Sequence, residues 1–295
     1  MICPSPVRND VVRHGESLAP HTTWRVGGPA DVLCVPSTVS ALAALLAAYP
    51  ALPLLWLGLG SNTLVRDAGI RGLVVITAGG LGGLTFAGKA IRAEAGIPLA
   101  KLARFSVQSG YTGLEFLAGI PGTVGGALAM NAGAAGCEIW EQVVSVETVD
   151  RAGERHVRAR GDFEIGYRRV RSLREEWFVS ALFELPPGDP SLGMARIREH
   201  LAVRNRTQPM QTANAGSVFR NPPGDHAGRL IEEAGLKGLR EGGAVVSERH
   251  ANFIINDAAA TASEIERLIL RVQAEVQERM GVWLEPEVKI VGDPV

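Results

Sequence analysis

The stretch that most restricts what this chain can fold into is "AGIPGTVGGALAMNAGAAG", residues 118–136, in which twelve of nineteen residues are Gly or Ala. So few side-chain atoms permit two arrangements: backbone passing close to backbone, or a bare main chain laid against a ligand. Gly119, Gly122 and Gly125, with Gly126 behind them, recur every third residue around Pro121 and Thr123. That spacing predicts a tight backbone coil without a wall of Cβ atoms, able to donate hydrogen bonds to a pyrophosphate. A close helix crossing is the alternative the same residues allow.

A second glycine turn lies upstream. "LGLGSNTLV", residues 57–65, follows a predicted buried strand at 54–57 and bends at Gly58 and Gly60, so that N–H groups around Ser61 and Asn62 can point together. Thr63 stands where the dinucleotide fingerprint needs a third Gly, and no long helix is predicted to follow. A plain turn between two strands is the alternative here. Two separated cradles without a GKS/T sequence favour a dinucleotide such as FAD over a nucleoside triphosphate.

Composition narrows the rest. With 295 residues, 46% hydrophobic and 21% charged, the chain has the makings of a large core and none of a disordered or fibrous protein. A net charge of −1 offers no global field for nucleic acid or an anionic membrane. Cys3, Cys34 and Cys137 are odd in number and widely spaced, as suits a reducing compartment, and the six His show no HxxxH spacing, so no metal site is expected. Residues 1–10 do not resemble a secretory leader. Residues 32–65 carry no charge, but Pro50 and Pro53 would break a spanning helix, so a helix at 38–48 and a strand at 54–57 are predicted instead.

The first third alternates helix and short apolar strands, an α/β pattern. "FAGKAIRAEAG" reads as a hairpin, "PLAKLARFSVQSG" as a helix ending at Gly110, "VVSVETVDRAGERHVRA" as a hairpin turning at Gly153, and "WFVSALFELPPG" as a strand. "PPGDPSLG", residues 186–193, is predicted to be a linker at a domain boundary. Beyond it lie a basic helix near 194–204, the helix "AGRLIEEAG", the strand "ANFIIN", and a long helix opened by a Thr261/Glu264 capping box. Ile265, Leu268, Ile269, Val272 and Val276 share that helix's apolar face. A last strand at 282–291 would place Leu284, Val288 and Ile290 opposite Glu285, Glu287 and Lys289.

Nine motifs in order carry a resemblance: "TTWRVGGPAD", "GLGSNTLV", "GLEFLAGIPGTVGGALAMNAGA", "GYR", "RTQP", "AGSVFRNP", "AGRLIEEAGLKG", "HANFIIN" and "LEPEVKIVG". Over nearly the whole chain this resembles the UDP-N-acetylenolpyruvoylglucosamine reductase family, flavoenzymes of bacterial peptidoglycan precursor synthesis. The stretch after Arg168 lacks room for the tyrosine-bearing loop of one subclass, so the chain is similar to the shorter subclass. The resemblance implies an α+β fold. It comprises an FAD-binding region of two α/β subdomains (PCMH/vanillyl-alcohol-oxidase-like) at residues 1–82 and 83–189, and a C-terminal α+β substrate domain at 190–283. A final strand at 284–295 would return toward the flavin.

The implied activity is NADPH-dependent reduction of UDP-N-acetylglucosamine enolpyruvate to UDP-N-acetylmuramate through noncovalent FAD. NADPH, the co-substrate, would reduce FAD and leave before the sugar enters, and the C-terminal domain would close the sugar over the flavin. The protein would be a cytoplasmic monomer with no metal, nucleic-acid or membrane partner. By position in the motifs, the FAD contacts would be Arg25, Gly27, Gly58, Gly60, Ser61, Asn62 and Thr63, with Gly119, Ile120, Pro121, Gly122, Thr123, Gly125, Gly126 and Ala127.

Hydride addition to an enol ether needs its carboxylate polarised, so that developing charge spreads as an enolate. The resemblance assigns Arg168 to that carboxylate, Glu287 to assisting the polarisation and Ser217 to delivering the proton. Tyr167, Arg206, Gln208, Arg220, Asn221, His250 and Asn252 would contact the substrate. Plainer readings exist: Arg168 within the solvated run Arg169, Arg171 and Arg174, Glu287 as an exposed strand carboxylate, Ser217 as a turn cap. The chain departs from the family pattern in having Arg169 and Val170 where a small hydroxyl is expected after the arginine, and Arg220 where Lys is frequent. A related FAD oxidase and a nonenzymatic binder of acidic polymers are the competing functions.

Overall fold

A computed structural model describes residues 11–172 and 174–294; the expectations for residues 1–10, Cys3 included, lie outside them. The chain divides into two compact units, each discontinuous in sequence. The first holds the described residues up to His14 with Val32–Leu59 and Gly72–Ala202, the second Gly15–Asp31, Gly60–Arg71 and the residues from Val203 on.

In chain order the elements begin with β1 (Val11–Ser17), β2 (Pro29–Val35), α1 (Val39–Ala48), β3 (Leu54–Leu57), β4 (Thr63–Val65) and β5 (Ile70–Ile76). A four-stranded sheet has the order β1-β2-β5-β3, with β3 parallel to β5. Thr38 caps α1, its hydroxyl accepting the Ala41 N–H at 3.1 Å, and the helix stops before Pro50. The uncharged segment is thereby cut into strand, helix and strand. No helix of the described residues is long and apolar enough to cross a membrane.

β6 (Leu84–Ala87) and β7 (Ala90–Glu94) make the expected hairpin, and α2 (Leu99–Gln108) ends before Gly110, whose φ is +82°. α3 (Val124–Met130), β8 (Gly133–Ala134) and β9 (Cys137–Glu138) come from the small-residue run. Then follow β10 (Val143–Asp150), β11 (Arg155–Ala159), β12 (Phe163–Gly166), β13 (Arg169–Ser172) and β14 (Glu176–Phe183). An antiparallel sheet in the order β11-β10-β14-β7-β6 packs Ile91, Val146, Ala181 and Phe183 into a core with α2, α3 and Trp140.

One expectation fails at α4 (Pro190–Thr207). The predicted linker at 186–193 runs straight into this helix. Asp189 Oδ1 accepts the Ser191 N–H at 2.7 Å, and Pro190 takes the first helical position, where its missing N–H costs nothing. Gly193 is buried on Val107, which a Cβ would meet at 2.7 Å.

The second unit contains β15 (Ala213–Asn214), α5 (Ala227–Glu233), β16 (Arg240–Glu241), β17 (Ala244–Val246), β18 (Ile254–Asn256), α6 (Ala262–Met280) and β19 (Lys289–Val291). Its sheet order is β15-β18-β17-β16. The Thr261/Glu264 capping box forms on α6, whose expected apolar face is buried with Leu230, Ile231, Phe219, Leu64 and Trp24. The Trp24 indole N–H donates to the Ile254 carbonyl at 2.8 Å. Asp67 receives the N–H groups of Ala262 and Ser263, both at 2.9 Å, and the Ser263 hydroxyl at 2.6 Å. The predicted last strand is shorter than expected. Only Lys289–Val291 forms a ladder, parallel to β4, while Pro286 makes an isolated bridge to Phe219. Pro286, having no N–H to donate, interrupts the ladder, yet the alternation survives in buried Leu284 and Val288 against exposed Glu285 and Lys289.

Candidate active site

β3 ends at Leu57, and the chain turns through Gly58. A Cβ there would lie 2.6 Å from Thr123 Oγ1, so the two glycine motifs touch, within the first unit, at a contact that only a hydrogen permits. In the second unit Gly60 (φ +64°) lets the chain pass His21, whose carbonyl oxygen a Cβ would strike.

The small-residue run is not the single coil its spacing predicted. Glu115–Gly119 is a 3₁₀ turn, Gly122 takes φ +146°, and α3 begins after Thr123. Gly125 serves packing: its N–H donates to the Ala95 carbonyl at 2.9 Å, and a Cβ would come within 2.9 Å of Ala95 Cβ. Gly119 and Gly126 differ, since an added Cβ would meet only His200 Cβ at 3.9 Å and Thr123 Oγ1 at 3.8 Å respectively. The N–H groups of Gly122 and Thr123 have no protein acceptor among the described residues. This bare main chain, with Gly58 against it, is chemically suited to the oxygens of a dinucleotide and could hold FAD. Ile120 is half-buried, Pro121 exposed and Ala127 buried.

In the second unit Arg25 is exposed at φ +60°, and Gly27 (φ +138°) packs on Val65. Ser61 is half-buried and Thr63 opens β4. Asn62 fastens the C-terminal segment, its amide donating to the Glu287 carbonyl at 3.1 Å and its own carbonyl accepting the Lys289 N–H at 3.0 Å.

Arg168 belongs to the first unit. β12 and β13 pair Gly166 with Arg169, leaving Tyr167 and Arg168 as the entire turn. Arg168 adopts φ +52°, a left-handed conformation that residues with a Cβ take at a cost. Its Nη2 donates to the Gly133 carbonyl at 3.0 Å and Nη1 to that of Asn131 at 3.4 Å, and the guanidinium carbon lies 5.2 Å from the Tyr167 ring centroid. Arg169, Arg171 and Arg174 are exposed, so the solvated-face reading describes them but not Arg168, which is half-buried. The two carbonyls support the guanidinium although Arg169 and Val170 stand where the family pattern has a small hydroxyl.

The segments that carry Ser217 and Glu287 run side by side in the second unit. The Glu287 N–H donates to the Val218 carbonyl at 2.7 Å and the Arg220 N–H to the Glu285 carbonyl at 2.9 Å, so the two segments run antiparallel past Pro286. Gly216 (φ +76°) precedes the half-buried Ser217 and donates its N–H to Asn214 Oδ1 at 3.0 Å. Arg220 reaches Glu285 at 3.7 Å.

Asn252, buried, holds this arrangement: its Oδ1 accepts the Phe219 N–H at 2.9 Å, its Nδ2 donates to the Phe219 carbonyl at 2.8 Å, and its own carbonyl accepts the Val218 N–H at 2.9 Å. Its amide is thus committed to the main chain, a role that sequence reasoning missed. Asn221 Oδ1 accepts the Ala227 N–H at 3.1 Å, at the start of α5. The His250 ring packs on Phe253, and its Nδ1 accepts the Asn252 N–H at 3.3 Å; burial lowers its pKa and favours this neutral form. Arg206 is exposed, and Gln208 accepts from Arg204 Nε at 3.0 Å.

Comparison with known proteins shows the family. A model described as FAD binding domain matches residues 30–158, and one described as UDP-N-acetylenolpyruvoylglucosamine reductase, C-terminal domain, matches 208–291. Among similar curated proteins, the UDP-N-acetylenolpyruvoylglucosamine reductase of Alkalilimnicola ehrlichii is 55% identical over 96% of this chain and 95% of its own length. That of Methylococcus capsulatus is 54% identical over 98% and 95%. The crystal structure of the Thermus caldophilus UDP-N-acetylenolpyruvylglucosamine reductase is similar at a TM-score of 0.82 and 34% identity, covering 96% of this chain and 98% of that one. With identities this high along almost the entire length, the chain belongs to the UDP-N-acetylenolpyruvoylglucosamine reductase family.

Proposed function

We propose that this protein reduces the enolpyruvyl ether of UDP-N-acetylglucosamine to UDP-N-acetylmuramate, with NADPH as the source of reducing equivalents. FAD, when bound, supplies the hydride for the enol ether and is recharged by NADPH. The bare backbone at Gly58, Gly119, Gly122, Thr123 and Gly126 would hold it noncovalently, within an FAD-binding region read as residues 1–189. Residues 190–283 are read as the substrate domain, followed by the final strand at 284–295.

Arg168 binds the substrate carboxylate, and its fixed charge favours electron density moving toward that group as the hydride adds. Glu287 assists that polarisation. Ser217 gives its hydroxyl proton to the carbon beside the carboxylate, completing the saturated lactyl ether. A hydroxyl serves as acid here because the carbanion-like carbon is a strong base. Tyr167, Arg206, Gln208, Arg220, Asn221 and His250 are read as sugar-nucleotide contacts, and Asn252 as the brace of the Ser217 segment. The protein is read as a monomer, and as cytoplasmic because its nucleotide-sugar substrate and NADPH are both cytoplasmic metabolites.

The observation that best supports the reading is the 2.7 Å hydrogen bond from the Glu287 N–H to the Val218 carbonyl, which brings the backbone that carries Glu287 alongside the residue after Ser217. The test is spectroscopic. Purified protein should be yellow, bleach with NADPH under anaerobic conditions, and regain colour on adding the enolpyruvyl sugar. Protein that takes up no FAD, or whose bleached form is indifferent to the sugar, would refute the proposal.

A further inference from the structure

Asn131 ends α3 in the left-handed conformation (φ +45°) with its side chain fully buried. Its Nδ2 donates to Glu138 Oε2 at 2.6 Å and to the Gly166 carbonyl at 3.2 Å. Gly166 is the last residue before the Tyr167–Arg168 turn, and the Arg168 guanidinium donates to the carbonyls of Asn131 and Gly133. One buried amide therefore ties the end of α3, β9 and the arginine-bearing turn together. The short β8–β9 hairpin fixes the geometry further: it pairs Gly133 with Glu138, and both of its turn residues, Ala135 (φ +52°) and Gly136 (φ +81°), are left-handed, as a two-residue hairpin turn demands.

The direction of the amide is set, because a flipped Asn131 would turn its oxygen against the Glu138 carboxylate. Its Oδ1 is buried and has no hydrogen-bond partner among the described residues, a local cost that the surrounding geometry must offset. We propose that Asn131, oriented by Glu138, is the positioning residue for Arg168 and sets the direction in which the guanidinium meets the substrate carboxylate. This inference rests on the reading of Arg168 as the carboxylate-binding group.

Four variants of the FAD-loaded protein test it by stopped flow, with flavin reduction by NADPH and reoxidation by the enolpyruvyl sugar followed separately. Asn131→Gly keeps the left-handed backbone and deletes the amide. It should slow reoxidation by the sugar at least ~10-fold, as expected of a displaced guanidinium, and leave reduction by NADPH within about two-fold. Arg168→Lys should show the same selectivity, and the double variant should be little worse than Arg168→Lys alone, because both changes disable one device. Glu138→Gln, which keeps the reach and removes the charge, should give a smaller loss of the same kind.

If Arg168→Lys impairs the sugar step while Asn131→Gly alters neither step, or both equally, or multiplies fully with Arg168→Lys, the positioning role is overturned and the Arg168 reading stands. If Arg168→Lys leaves the sugar step intact, the Arg168 reading falls and this inference with it. Should Asn131→Gly fail to load FAD, Glu138→Gln decides the matter by the same criteria.

Discussion

Arg168 and Ser217 are held by opposite means. Arg168 sits on the tip of a two-residue turn in a backbone conformation that resists it, kept there by carbonyl oxygens and a buried asparagine. Ser217 has no left-handed φ, and its segment is bracketed on one side by the Glu287 segment and on the other by both ends of the Asn252 amide. The first arrangement concentrates local strain, of order 1–3 kcal/mol, where one side chain must point one way. The second spreads support over several main-chain hydrogen bonds. Strain of this kind marks a residue whose job outranks its comfort, whereas a ladder marks a platform.

Substitutions on either side put that contrast at risk. The largest expected effect is at Ser217: Ser217→Ala should slow reduction of the enolpyruvyl sugar about 10²–10⁴-fold, leaving NADPH-driven bleaching nearly intact and thermal stability unchanged. Equal loss in both half-reactions would make Ser217 part of the platform alone. Next, Asn252→Ala leaves the Phe219 N–H and carbonyl buried without partners and should cost about 2–4 kcal/mol of unfolding free energy, read by urea denaturation. A negligible cost would show that the ladder holds Ser217 without it.

Arg168→Gly should invert the usual order. Relief of the left-handed backbone, worth roughly 1–2 kcal/mol, offsets the lost guanidinium contacts, so the melting temperature should hold or rise while turnover of the sugar collapses. A clear drop in stability would mean that the turn is not strained.

The smallest effect belongs to Asp67. Burial pushes its carboxyl upward, but the hydrogen bonds from Ser263 and Ala262 outweigh that and hold it below its ordinary value. A carboxyl with a depressed folded pKa contributes stability above the unfolded value, about 3.9, and loses it as the pH falls through the folded one. Asp67→Asn should therefore destabilise the protein at pH 7 by roughly 1 kcal/mol and flatten the loss of stability below pH ~4, as followed by melting curves across pH. Parallel curves for parent and variant would remove Asp67 from the acid response.

Much of the architecture was legible from local rules. Thr38 and the Thr261/Glu264 pair announced their helices, and the apolar face of α6 is buried as its 3.6-residue spacing required. The linker reading failed because Pro and Gly were taken as breakers, when Asp189 followed by Pro190 is also how a helix begins. At the site, the motifs named Arg168, Ser217 and Glu287 as types of chemistry, but their supports were hidden. Nothing in "MNAGA" says that the asparagine amide will reach Gly166, thirty-five residues on, since that contact depends on two hairpins formed by other segments. Asn252 was legible as a polar residue in an apolar strand but not as a brace, because its partner Phe219 is distant in sequence. Nor can spacing separate Gly125, which packs on Ala95, from its neighbour Gly126, which does not.

The interleaving of the two units matters for biosynthesis too. Trp24 and Leu64 leave the ribosome early, yet the strand that accepts the Trp24 indole and the one that pairs with β4 lie near residues 254 and 290. Until the residues near 290 are translated, the nascent protein must carry these apolar side chains without their partners, an interval in which chaperone binding would matter more than it does for the folded molecule.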